Sequence, residues 1–85
     1  MFVHIGNNNT VLTEEIITIL DKDTVESSKV TRDFVESFFK NNLVLNSDVE
    51  DIKTYIIVEV KDKDKKQGLY TSNISSQALY KRMNK

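Results

Sequence analysis

The chain has 85 residues, with 12 Lys plus Arg, 13 Asp plus Glu and one His, for a net charge of −1. We expect a single domain over residues 1–85, because a chain this short buries only about 60% of its unfolded surface and needs one modest core. The absence of Cys excludes disulfides, thiolate nucleophiles and Cys-based metal sites, and one His cannot build a His-rich metal centre. No apolar run approaches the ~18 residues of a membrane span, which predicts a cytoplasmic protein without membrane contact.

Short apolar segments near the start of the chain predict strands. Phe2–Ile5 alternates apolar side chains with a period of two, and Gly6–Asn9 predicts a tight turn, so a hairpin with Thr10–Leu12 is expected. Ile16–Leu20 is rich in β-branched residues and predicts a third strand. The residues between them, Thr13–Glu15, either cap a helix or lead into that strand.

The clearest helical pattern runs from Ser28 to Asn41. Its apolar residues follow spacings of four, one, three and one and share one stripe of a helix: Val30, Phe34, Val35, Phe38 and Phe39. Ser27 or Ser28 can accept the free amide hydrogens at the helix start, and Asn41 or Asn42 can supply a left-handed end. We expect the Phe rings to fill the core against a sheet, in preference to forming a partner-binding face.

The second half of the chain predicts three further strands and a short helix. Leu43–Leu45 is a short apolar strand, and Tyr55–Val60 is almost continuously β-prone, which favours a central strand covered on both faces. The charged tract Lys61–Gly68 predicts a turn, and Leu69–Ile74 predicts the hairpin partner.

The predicted C-terminal helix begins after Ser75. This residue is a suitable N-cap, Ile74 and Leu79 have the spacing of a hydrophobic staple, and Met83 shares the buried face with Leu79. The complete order of elements predicts an α+β fold, with a small mostly antiparallel sheet, one amphipathic helix packed on it and a short C-terminal helix.

No motif in the chain points to catalysis. The tract 62–68 begins like a calcium loop but has Lys66 and Gln67 where an oxygen ligand and the turn glycine are needed. His4 has no nucleophile or second His to work with, and the carboxylates lie mostly in predicted turns. We therefore predict that the protein is not an enzyme and has no cofactor, metal site or small-molecule substrate.

Charge is divided unevenly along the chain. Residues 1–60 hold five Lys or Arg against eleven Asp or Glu, whereas residues 61–85 hold seven against two. The cations of this basic quarter, Lys81 and Arg82 among them, either neutralise nucleic-acid phosphates or simply complement the negative end of the last helix. Contact with DNA is easier to explain in an oligomer, because several copies concentrate the sparse positive charge on one face.

Several segments together resemble a known family. They are Phe2–Gly6, Thr13–Asp21, Tyr55–Val60, and the close Ile74-Ser75-Ser76 with Leu79, Lys81 and Arg82. In order and spacing the chain is similar to the small bacterial RemA/RemB-type extracellular-matrix regulators, with the RemB-like (YaaB-type) branch closer. The resemblance implies a DNA-binding transcriptional regulator of biofilm-matrix genes, in a family whose RemA-like members form rings and contact DNA through arginines on loops.

The resemblance aligns those arginines with positions that are acidic here. One falls at or beside Glu14 and Glu15, and a cluster falls around Asp51 to Lys53, where only Lys53 keeps a positive charge. We therefore expect a homo-oligomer, in a ring or a dimer, that contacts double-stranded DNA through phosphates using Lys53, Lys81 and Arg82. An oligomeric protein–protein adaptor without DNA binding, and a protein that only oligomerises through strand edges, are the alternatives.

Overall fold

Five antiparallel strands in two sheets form the framework of the computed structural model, which describes residues 1–47, 49–60 and 66–84. A two-stranded sheet contains β1 and β2, and a three-stranded sheet has the order β3-β4-β5. The strands span Phe2–Gly6 (β1), Asn9–Leu12 (β2), Ile16–Asp21 (β3), Thr54–Val60 (β4) and Lys66–Ser72 (β5). Thr13–Glu15 forms a 3-10 turn that leads into β3, as one of the two sequence interpretations expected.

Three helices accompany the strands within the described residues: α1 (Lys22–Ser27), α2 (Lys29–Lys40) and α3 (Ser76–Met83). The α+β prediction is confirmed, and α1 was not expected. Both predicted serine caps are present. Ser28 accepts a hydrogen bond from the Thr31 amide at 3.3 Å and Ser75 accepts one from the Ala78 amide at 3.2 Å, and each bond pairs an amide that has no partner within its helix.

Helix α2 ends in a left-handed residue, as the asparagine pair predicted. Asn42 has φ 56°, the Asn42 amide donates to the Phe39 carbonyl at 3.4 Å, and the Leu43 amide donates to the Phe38 carbonyl at 2.8 Å. These two bonds make a Schellman motif, which satisfies the last carbonyls of the helix and turns the chain back towards the sheet.

Strand β4 is central and divides the core into two clusters, as its continuous apolar sequence predicted. Ile56 and Val58 face one cluster with Val3, Ile5 and Leu79. Ile57 faces the other cluster, which contains the side chains of Val25, Val35, Phe38 and Leu69. Full burial of each such side chain contributes about 1.5–3 kcal/mol, so β4 anchors both halves of the molecule.

The expectation that all three Phe rings of α2 fill the core is wrong. Phe38 is buried, but Val30 is 80% exposed, Phe34 44% and Phe39 48%. Because successive residues turn by about 100° around a helix, Val30 and Phe39 lie on opposite flanks of the face that Phe38 and Val35 direct to the sheet. The sheet covers only the middle of the stripe.

The predicted strand Leu43–Leu45 is reduced to a single parallel bridge, between Val44 and Leu69 of β5. The Leu45 amide donates to the Leu69 carbonyl at 2.7 Å, and the Leu69 amide donates to the Leu43 carbonyl at 3.0 Å. Asn46 continues the contact with its side chain. Its amide nitrogen donates to the Thr71 carbonyl at 2.8 Å, and its amide oxygen accepts from the Thr71 amide at 2.9 Å.

The predicted pairing of β4 with a following strand is confirmed, with Val60 opposite Lys66 at the near end of the ladder. The predicted turn Lys61–Gly68 is wrong for its last three residues, because Lys66 to Gly68 belong to β5; residues 61–65 lie outside the described residues. Ile74 and Met83 pack against the cluster that contains Leu79, as the predicted staple and helix face require.

Candidate nucleic-acid interface

A shallow cleft of about 340 Å³ lies where β3 ends and α3 begins. Seven residues line it: Asp21, Lys22, Asp23, Lys53, Ser75, Ser76 and Gln77. The Lys22 amide donates to the Lys53 carbonyl at 2.9 Å, which brings the start of α1 beside the approach to β4. The Ser76 hydroxyl donates to the Asp21 carboxylate, which holds the start of α3 at the same place.

Lys53 stands in this cleft with charges of both signs around it. Its own amide donates to the Ser72 carbonyl at 2.8 Å, so its backbone is fixed by the sheet while its side chain is exposed. Lys53 also lines a neighbouring cleft with Lys22, Asp51 and Asn73. The field at Lys53 is therefore mixed, and its own charge is available to an anion only in competition with nearby carboxylates.

The other two predicted cations lie on the exposed surface of α3. Lys81 follows Gln77 by four residues and shares its helix face, so Lys81 lies one turn, about 6 Å along the axis, beyond the cleft that contains Lys53. Arg82 is turned by about 100° from Lys81, and its Nη1 donates to the His4 carbonyl at 2.7 Å. The structure thus brings Lys53 and Lys81 to one side of α3 and directs Arg82 towards β1.

None of these three cations forms an ion pair with another described residue. The ion pairs within the described chain join the Met1 amine to Glu14, Lys22 to Glu26 and Lys29 to Asp33. The two intrahelical pairs are exposed and are worth less than about 1 kcal/mol. Lys53, Lys81 and Arg82 therefore keep charge that the described residues do not neutralise.

The acidic positions that the resemblance aligned with arginines lie at both ends of the β3–β4 ladder. Glu14 and Glu15 precede Ile16, which pairs with Val58, whereas Asp51 precedes the start of β4. Glu14 is engaged locally: the hydrogen bond from the Met1 ammonium, and then that from the Thr13 hydroxyl, hold the pKa of its carboxyl below the ordinary value. The two loops are therefore separate surfaces.

The sequence did not predict that Lys22, Gln77 and Ser76 would join Lys53 in a cleft. The prediction that Asp21 and Asp23 lie in a turn is wrong, because Asp21 ends β3 and Asp23 lies in α1. Asp21 is exposed and accepts the hydrogen bond from Ser76. The predicted N-cap at Ser75 was the one local signal for this region. Within residues 1–47, 49–60 and 66–84 there is no cluster of three or more candidate metal ligands, and no helix is long and apolar enough to cross a membrane.

Comparison with known proteins places the chain by family. A search of curated proteins found no match. The family model of the RemA-like proteins, described as extracellular matrix regulatory protein A-like, matches residues 2–83. That match covers both sheets and all three helices, and it confirms the resemblance at the level of the family. The chain therefore belongs to the RemA-like family of extracellular matrix regulatory proteins.

Proposed function

We propose that this protein is a RemB-like transcriptional regulator of extracellular-matrix and biofilm genes that acts in the cytoplasm as a homo-oligomer and contacts double-stranded DNA through its phosphates. Lys53, Lys81 and Arg82 make these contacts, and the protein has no catalytic activity. The observation that carries the proposal is that all three side chains are exposed and unpaired by any described carboxylate, in a chain of a regulator family.

The chemistry of the three side chains suits phosphate and not base recognition. Lys53 and Lys81 are flexible point charges, and one Arg82 nitrogen is already bonded to the His4 carbonyl, which leaves the remaining guanidinium hydrogens to an outside anion. Such contacts position a protein on DNA without reading sequence. Each one steepens the salt dependence of binding by about 0.9 in the slope of log K against log salt.

Self-association is part of the proposal because one subunit offers little net attraction to DNA. Among the described residues, eight Lys or Arg stand against ten Asp or Glu, a balance of −2. Several copies that present α3 on one side would repeat Lys53 and Lys81 along a duplex, with Arg82 beside them on the flank of α3 that faces β1. The summed positive charge would then outweigh the carboxylates that lie near Lys53.

The test is fluorescence anisotropy with a short labelled duplex over a series of salt concentrations. The double variant K81E/R82E is compared with K29E/K40E, whose changes lie on exposed ends of α2; two reversals of two units each take the net charge of either variant from −1 to −5. We expect K81E/R82E alone to weaken binding strongly and to reduce the salt slope by about 1.8 for each bound subunit. Equal losses of duplex affinity in the two variants, or an affinity that does not change with salt concentration, would refute the assignment.

A second candidate function is an oligomeric adaptor of the same fold that binds protein and not DNA. The specific observation in its favour is the carboxylates of Glu14, Glu15 and Asp51 at positions that the resemblance gives to arginines. Negative charge there repels phosphates. An oligomer by light scattering with no duplex binding at low salt would support the adaptor, and salt-sensitive binding that depends on Lys81 would exclude it.

A further inference from the structure

The two outer edges of the three-stranded sheet differ in whether another segment of the chain forms hydrogen bonds with them. On the β5 edge, the outward groups of Leu69 are bonded to Leu43 and Leu45, and those of Thr71 are bonded to the Asn46 side chain. The segment 43–46 therefore covers the outer edge of β5 at Leu69 and Thr71, within the last four residues of the strand.

The β3 edge has no such cover. The Lys22 amide donates to the Lys53 carbonyl, next to the register pair of Asp21 with Thr54. Antiparallel ladders alternate between bonded and non-bonded pairs, so Leu20 and Thr18 direct their amide and carbonyl groups towards β4. Ile19 directs its amide and carbonyl groups away from the sheet, and these two groups form no hydrogen bond with a described residue.

The sequence of β3 also lacks the features that usually protect a free edge. Ile16–Leu20 contains no charge, Pro or Gly, and Ile17 is 49% exposed. The register irregularity between Ile16 and Thr18 and the charge of Asp21 at the end of the strand are its two protective features. Soluble proteins normally place Lys, Pro or a covering segment on an edge of this length, because an open apolar strand pairs with other chains.

The remaining strand edges are shorter or occupied. In β1 the Ile5 carbonyl accepts a hydrogen bond from the Ser72 hydroxyl and the His4 carbonyl accepts one from Arg82, both at 2.7 Å. β2 spans only four residues. Among the described strands, β3 is thus the longest one with an open edge.

We propose that β3 pairs antiparallel with β3 of a second copy and joins two three-stranded sheets into one of six strands. This inference rests on the proposed self-association and names the surface that produces it. With Ile19 opposite Ile19 of the second copy, two reciprocal backbone hydrogen bonds form at the symmetry axis. Each Ile17 then lies across from an Asp21, and its exposed side chain is covered.

A second copy suits this edge better than a charged or unrelated strand. Apolar and β-branched residues pair well across strands, and antiparallel pairing centred on Ile19 puts Ile19 opposite Ile19 and each Thr18 opposite a Leu20 of the second copy. The Asp21 positions of the two copies lie about 13 Å apart along the strands, beyond the screening length of about 8 Å at physiological salt. Parallel pairing would instead bring the two Asp21 carboxylates side by side.

The test compares Ile17→Lys with Val30→Lys by sedimentation over micromolar concentrations. Both substitutions add one positive charge at an exposed apolar residue, one on the β3 edge and one on α2. We expect I17K to weaken association at least tenfold and V30K to behave as the wild type. In the wild type, hydrogen exchange at the Ile19 amide should slow at least tenfold from dilute to concentrated samples, a readout that needs no variant.

The outcomes separate this inference from the proposed function. If I17K associates as the wild type does and Ile19 exchange is independent of concentration, the β3 pairing is overturned while an oligomeric DNA-binding regulator stands. Dissociation by V30K alone would move the interface to α2 and overturn the pairing. A monomeric I17K that binds duplex DNA as the wild type does would uphold the pairing and refute the need for several copies.

Discussion

Replacing Asn46 by Ala removes the side chain that closes the outer edge of β5. Asn46 makes three hydrogen bonds to Thr71, to its carbonyl at 2.8 Å, its amide at 2.9 Å and its hydroxyl at 3.2 Å. Each is worth about 0.5–1.5 kcal/mol, and Thr71 is only 4% exposed, so water replaces them poorly. We expect the free energy of unfolding to fall by about 2–3 kcal/mol, out of about 4–13 kcal/mol for a domain of this size.

Urea unfolding followed by circular dichroism measures this loss, and hydrogen exchange at the Thr71 amide locates it. The matched control is Asn41→Ala, which removes one exposed hydrogen bond to the Ser37 carbonyl and should cost less than about 0.5 kcal/mol. N46A should also self-associate more than the wild type, because it opens a second strand edge. A loss no larger than that of N41A, with unchanged Thr71 protection, would refute the role given to Asn46.

Further predictions follow from burial, backbone geometry and ionisation. Leu79→Ala removes a side chain that is 1% exposed and should lower the free energy of unfolding by about 2–5 kcal/mol in urea titrations. Gly6→Ala should lower it by about 1–3 kcal/mol, because Gly6 has φ +101° and the added methyl would meet Asn73 Oδ1 at 2.6 Å. The pKa of Glu14 is lowered in the folded state, chiefly by the hydrogen bond from the Met1 ammonium, so its stabilising effect is present above the unfolded pKa and is lost as pH falls through the folded pKa. Thermal melts of Glu14→Gln and the wild type should therefore differ at neutral pH and converge in acid.

Local chemistry explains which elements were predictable from sequence. The caps at Ser28 and Ser75 depend on contacts three residues away. Ser75 was predicted as a cap, and Ser28 is one of the two serines between which the sequence left the first cap open. Helix α1 was missed because Asp21 to Asp23 has the composition of a turn and Val25 is the one buried residue in the helix. Its stability comes from docking beside α2 and β3, which no short window of sequence contains.

Two features depend on tertiary contacts that the spacing of residues along the chain does not reveal. They are the exposed part of the apolar stripe on α2 and the set of residues that forms the candidate site. Periodicity placed Val30 and Phe39 on an apolar stripe, but the width of sheet available to cover that stripe is a tertiary property. The same holds for Lys53 and Lys81. They lie on a common side of α3 because Gln77, one turn before Lys81, lines the same cleft as Lys53, and these residues are distant in sequence. Their part in DNA binding stays a prediction.

Strand β1 is fastened by residues from the far part of the chain. Ser72 bonds to Ile5 across 67 positions and Arg82 bonds to His4 across 78, and Leu79 completes the cluster that buries Val3. During synthesis the first hairpin can therefore contact β3 and β4 early, but its packing and its hydrogen bonds are completed only when Leu79 and Arg82 of α3 have emerged from the ribosome. We expect the nascent chain to expose apolar side chains of this hairpin to chaperones until the C-terminal residues are synthesised. Folding should therefore be late and slow for so small a domain.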